Sequence, residues 1–147
     1  MLKDLFFPAT GAGSDDATLA VAEQIAKACD ARLIVSVPAA VPTTYAAPWG
    51  FAPGPVLSAV LEEAEKSAVD RAHELGQRMS NSEATCDVRV NRTRLFDPAE
   101  ASTIQARYAD LSLMAQPSGD DASIAHAFFN SFLFRTEHVQ LIALFFF

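Results

Sequence analysis

Five short apolar runs alternate with four stretches of helical period along this chain, and few architectures accept that pattern. A strand that returns through a helix-length crossover lies parallel to its predecessor, so the order β-α-β-α-β-α-β-α-β predicts a parallel sheet covered on both faces. Leu2 to Phe7 is the first run, stopped by Pro8 and the Gly11-Ala12-Gly13 turn. Ser14 then occupies the N-cap position of a helix with Asp15 and Asp16 in its first turn and an apolar stripe of Leu19, Ala22, Ile25, Ala26 and Cys29. Ala31 to Val37 is rich in branched residues and reads as a buried second strand, closed by Pro38.

Between Pro38 and Pro55 stand five prolines, Gly50, Gly54 and the aromatics Tyr45, Trp49 and Phe51, with no charged residue, so neither regular period holds. This is a long loop, expected to fold over the carboxyl end of the sheet as an apolar flap. From Val56 the period is helical, with Leu57, Leu61, Ala64, Ala68, Ala72, Leu75 and Met79 on one face. Thr85 to Thr93 alternates strictly, setting Cys86, Val88 and Val90 against Asp87, Arg89 and Asn91, as suits an edge strand with one solvated face. Asp97 followed by Pro98 opens a short helix through about Arg107. Leu111 to Ala115 is the fourth strand, a helix runs from about Ser118–Asp121 through Ile124, Phe128, Phe129, Phe132 and Leu133, and Val139 to Phe145 is the last strand.

Composition narrows what such a chain does. Its 147 residues suit one domain, 1–147, and the 50% hydrophobic content suits one continuous core. The formal charge of −7 repels phosphate backbones and anionic lipid, so nucleic-acid binding is not expected. Ala125 to Phe147 is interrupted by Asn130, Arg135, Glu137 and His138, so it lacks the roughly 18 consecutive apolar residues of a spanning helix. Two cysteines make no disulfide framework and Met1-Leu2-Lys3-Asp4-Leu5 has no secretory pattern, so a cytoplasmic protein is expected.

Several features, in order and spacing, resemble the universal stress protein family across the whole chain. They are the opening strand ending in Phe7-Pro8, the small-residue turn and helix from Ser14 to Cys29, and Ala31-Arg32-Leu33 leading into Val37-Pro38. Further along come Asp97-Pro98-Ala99-Glu100, Ala109-Asp110-Leu111 and the aromatic-rich helix carrying Asn130-Ser131. The resemblance implies a three-layer α/β fold with a five-stranded parallel open sheet of order 3-2-1-4-5, adenine nucleotide alpha hydrolase-like and Rossmann-like. It also implies a homodimer joined through the last strand, Val139 to Phe145.

With that order, ligands are expected beyond the carboxyl ends of the first and fourth strands, where the strand order reverses. The candidate binding residues are Pro8, Ala9, Thr10, Val37, Ala115, Gln116, Ser118, Gly119, Asn130 and Ser131. The nucleotide-binding branch of the family carries an Asp at the end of the first strand and a Gly-x2-Gly-x9-Gly-Ser/Thr loop after the fourth. Here Thr10 replaces the Asp, Ala115 and Ser118 replace the first two glycines, and Asn130-Ser131 replaces the last Gly-Ser at a longer spacing. Pro117 donates no amide, while Asp120 and Asp121 repel an anion. The sequence therefore points to a non-enzymatic stress-response homodimer with a small-ligand or protein partner and no glycine-loop ATP site. The alternative is an adenine-nucleotide-binding protein or weak ATPase that holds ATP or AMP through a variant loop of Gln116, Ser118, Gly119, Asn130 and Ser131.

No other motif rises above a structural role. Gly11-Ala12-Gly13 lacks the third glycine of a dinucleotide fingerprint and the lysine of a P-loop. His126 and His138 lack metal-ligand spacing, His73 reads as solvated, and neither Ser118 nor Ser131 sits in a nucleophile elbow. Cys29 and Cys86 read as small buried apolar residues. Phe128 and Phe132 read as core, with Phe129 and Phe134 off their face.

Overall fold

The computed structural model describes residues 1–39, 54–92, 97–119, 123–135 and 140–143. The elements in chain order are β1 (Asp4–Pro8), α1 (Asp15–Cys29), β2 (Arg32–Pro38), α2 (Gly54–Met79), β3 (Cys86–Asn91), α3 (Pro98–Ala106), β4 (Leu111–Ala115), α4 (Ser123–Arg135) and β5 (Gln140–Ala143). β3, β2, β1 and β4 lie side by side in that order, all parallel, as the alternation of strands and helices requires. A short β5 continues the sheet beyond β4, also parallel, with Leu113 opposite Leu141.

Strand alternation sends side chains to two cores. Leu5, Phe7, Leu33, Val35, Val37 and Leu113 meet Leu19, Ala22 and Ala26 of α1 and Ala68, Leu75 and Met79 of α2. On the other face Phe6, Ile34 and Met114 meet the Ala99 and Ala106 side of α3 and the Phe128 and Phe132 side of α4. Phe132 stacks between Phe6 and Phe128, with ring centroids at 5.9 and 6.3 Å. Phe134 is 78% exposed and Phe129 only partly buried, as their angular positions on the helix dictate.

Four local expectations are corrected. α2 begins at Gly54, not Val56, because Pro55 is tolerated in a first helical turn. Its apolar stripe is only half used: Ala68, Leu75 and Met79 are buried, whereas Leu61 is 39% exposed and Val56 more so. Twenty-six helical residues span about 39 Å. A seven-residue strand spans about 23 Å, so the first half of α2 outruns the sheet. Cys29 is exposed although it continues the Leu19, Ala22 and Ala26 face, because it is the last residue of α1, just before Asp30 ends the helix in the left-handed region at φ 51°. Asn91, placed by alternation on a solvated face, is buried instead because α3 covers that end of β3.

Expectations that fall on 40–53 (the apolar flap), 93–96, 120–122, 136–139 and 144–147 lie outside the described residues. Among the described residues, no helix is long and apolar enough to cross a membrane.

Candidate functional site

The opening in the sheet follows from the register. β1 pairs with β2 from Asp4 through Pro8, but with β4 only at Leu5 opposite Leu111 and Phe6 opposite Ser112. Below that point the two strands are tied together. The Asp110 carboxylate accepts N–H groups from Lys3 at 2.7 Å and Asp4 at 3.0 Å, while the Asp110 N–H donates to the Asp4 carbonyl at 3.0 Å. Those two amides hold the Asp110 carboxyl below its ordinary range. The β1–β4 pairing ends at Phe6 and Ser112, at the reversal of strand order where open α/β sheets hold ligands.

On one side of the crevice stands the β1–α1 turn. Gly11 adopts φ +84°, a conformation that requires glycine, and its N–H donates to Asp15 Oδ2 at 2.7 Å. Thr10 Oγ1 donates to Asp15 Oδ1 at 3.2 Å and accepts from the Ala12 N–H at 3.3 Å. Asp15 is only 7% exposed, and burial pushes its carboxyl up to about 6 despite the opposing hydrogen bonds from Gly11 and Thr10 and the charge of Arg71. A carboxylate that the sequence offers as one of two first-turn acids is thus the buried organiser of the turn.

Ser14 does not cap the helix as expected. Its backbone is near the helical region at φ −85°, ψ −5°, so its hydroxyl cannot reach back to the first-turn amides. Its Oγ is buried without a hydrogen-bond partner, as is Nε of Arg71 on α2. One helical stretch further on, Arg78 pairs with Asp16 at 2.6 Å and joins α2 to the start of α1.

On the other side lies the loop after β4. His126 Nε2 and the Ser118 carbonyl are 2.9 Å apart, and because a carbonyl only accepts, Nε2 carries the proton. This bond ties the loop to the first turns of α4. Gly119 has an ordinary φ, and a Cβ there would meet nothing within 4 Å, so the loop's glycine supplies neither a left-handed turn nor a close approach.

The candidate residues divide by position. Thr10, Ala115, Gln116, Ser118 and Gly119 reach the open carboxyl end, and Thr10, Gln116, Ser118 and Gly119 keep accessible surface there. Pro8, Ala9 and Val37 are buried, and the Ala9 N–H donates to the Ser36 carbonyl at 2.9 Å. Asn130 is exposed on α4. Ser131 is buried against α3, its hydroxyl 3.0 Å from that of Thr103. Both lie more than a turn and a half inside the helix, about 10 Å from its start.

Asp15, Arg71 and the His126 link were not among the candidates. The signal available for Asp15 was its spacing from Thr10, one helical step beyond a glycine turn. Asp15 can exchange a proton near neutral pH, and its carboxylate accepts the Thr10 hydroxyl. Among the described residues no group of His, Cys, Asp and Glu is placed to hold a metal ion.

No protein-family model matches the sequence, and no curated protein matches it. Solved structures do. A protein from the universal stress protein family from Burkholderia pseudomallei is 19% identical, with 97% of this chain and 96% of that one covered and a TM-score of 0.65. Universal stress protein UspA from Lactobacillus plantarum is 14% identical over 96% of this chain and 97% of that one, with a TM-score of 0.67. A universal stress protein in complex with cAMP is 19% identical over 97% of both chains, with a TM-score of 0.55. The chain has the fold of universal stress proteins over nearly its whole length.

Proposed function

We propose that this chain is a non-enzymatic, universal-stress-protein-like protein of the stress response, adenine nucleotide alpha hydrolase-like in architecture, whose β1–β4 crevice meets a small ligand or a protein partner without a glycine-loop ATP site. The observation that carries this reading is the loop after β4. A phosphate cradle needs several backbone amides converging in glycine-permitted conformations. This loop has Pro117, an ordinary Gly119 and a carbonyl anchored to His126. Across the crevice the Asp15 carboxylate already occupies the Gly11 N–H, an amide that would otherwise face an anion. Fold likeness to the universal stress proteins supports the stress-response assignment.

The reading includes a homodimer through β5, a strand at one end of the sheet. Leu141→Lys is expected to reduce the mass seen by light scattering, and an unchanged mass would exclude that edge. For the crevice, calorimetric titration with ATP, ADP, AMP and cAMP tests the claim. The triphosphate is expected to show no saturable micromolar binding and no advantage over AMP. A micromolar ATP site that weakens when Gln116 and Ser118 are replaced by alanine would establish the variant phosphate loop instead.

A further inference from the structure

We propose that β3 is a self-complementary edge on which a second copy of this chain docks antiparallel, across a two-fold axis through Val88. β3 ends the sheet on the side opposite β5, so this contact stands whether or not β5 also pairs.

The backbone sets which residues face outward. The Leu33 N–H donates to the Thr85 carbonyl and the Ala39 N–H to the Asn91 carbonyl. With an uninterrupted parallel register from Leu33 opposite Cys86 to Pro38 opposite Asn91, alternation turns the N–H and C=O groups of Cys86, Val88 and Val90 to the edge that no other strand pairs among the described residues. Edge strands are ordinarily blunted by lysine, proline or a bulge. β3 has none of these, and its two charges, Asp87 and Arg89, pair with each other along the strand.

The sequence then selects one register. In an antiparallel pair, outward-facing residues oppose outward-facing residues, so a two-fold axis passes through a residue of the strand. An axis at Asp87 sets two carboxylates opposite each other, and one at Arg89 sets two guanidinium groups opposite each other. An axis at Cys86 leaves Asp87 opposite Thr85 and turns Arg89 toward Glu83, which precedes β3 and already pairs with Lys27, while an axis at Val90 leaves Arg89 opposite Asn91. An axis at Val88 sets Asp87 opposite the partner's Arg89 and Arg89 opposite the partner's Asp87. Both pairs fall at non-hydrogen-bonded positions, where facing side chains come closest. The Val88 amides and carbonyls exchange hydrogen bonds at the centre.

The second face of the strand fits the same register. Cys86, Val88 and Val90 are half-buried there against the core. Beside them a groove of about 620 Å³ runs between β3 and α2, with Ala72, Gly76 and Ala84 among its walls. Those small side chains leave room for the partner's Cys86, Val88 and Val90, with His73, Gln77 and Ser82 forming a polar part of the same groove.

Light scattering on the full chain at micromolar concentration tests this, with circular dichroism on each variant. Asp87→Arg and Arg89→Asp each turn two attractive cross-strand pairs into two repulsive ones and are expected to raise the dissociation constant of this contact about tenfold or more. The double swap, Asp87→Arg with Arg89→Asp, restores opposite charges in the same register and is expected to recover the wild-type mass. Leu141→Lys does not alter these responses, which separates this contact from β5. Hydrogen exchange provides a readout without variants: the Cys86, Val88 and Val90 amides become protected as concentration rises. A wild-type mass unmoved by either single swap, or outward amides that exchange freely at every concentration, would overturn the proposal.

Discussion

Asp15 carries more of the site's behaviour than its place in the sequence suggests. Its carboxyl ionises near pH 6 in the folded chain against an ordinary value of 3.8, with burial as the main cause. The folded state therefore holds this proton more tightly than the unfolded one does. The stabilisation linked to that proton is fully present below pH 3.8 and is lost as pH rises through 6. By this linkage the group makes the protein less stable at neutral pH by about 3 kcal/mol. Asp15→Asn keeps an oxygen for the Gly11 N–H and removes the titration. Urea unfolding across this pH range is expected to show the variant gaining stability at neutral pH and losing that part of the pH dependence. An unchanged pH profile would mean that Asp15 ionises normally. Gly11→Ala is expected to destabilise the chain through its positive φ, whereas Gly119→Ala is expected to be neutral, since a Cβ there meets open space.

Among the elements, α3 is held to the sheet as much by polar bonds as by apolar contact. Asn91 Nδ2 donates to Ser102 Oγ at 2.8 Å, Gln105 Nε2 donates to Asn91 Oδ1 at 3.3 Å, and Ser36 Oγ donates to Gln105 Oε1 at 3.4 Å. All but Gln105 are buried. Asn91→Ala leaves the Ser102 hydroxyl without this donor and is expected to cost about 1–3 kcal/mol in chemical denaturation. The Asn91→Ala, Ser102→Ala pair is expected to cost less than the sum of its parts, and strict additivity would show that the bond is not formed. The Asp97 cap of α3 was readable directly, and the Asp97 carboxylate does accept the Glu100 N–H at 3.0 Å. Asn91 was not, because strand alternation assigns a face but not what covers it. The unburied first half of α2 escaped for a related reason: helical period reveals an apolar stripe, while its burial depends on the length of the sheet beneath. Cys29 was misplaced because an apolar stripe does not show where the core beneath the last turn stops, and Ser14 by a backbone angle finer than a residue pattern resolves.

For the whole molecule, the parallel order β3, β2, β1, β4 followed from strand-helix alternation together with the family resemblance, and it puts the reversal of strand order between β1 and β4. The site's composition was less legible. Matching a glycine pattern along the chain put Asn130-Ser131 with the β4 loop, while the fold sets the Ser131 hydroxyl against that of Thr103. What lines the turn instead is an acid that meets Thr10 only through the fold. The most direct test of a crevice built without a phosphate cradle is a crystal structure of the protein purified without added nucleotide and then soaked with ATP. The account predicts no ordered triphosphate against the 115–119 loop and an intact His126 to Ser118 bond. Ordered phosphates seated on the amides of that loop, with His126 displaced from the Ser118 carbonyl, would contradict it.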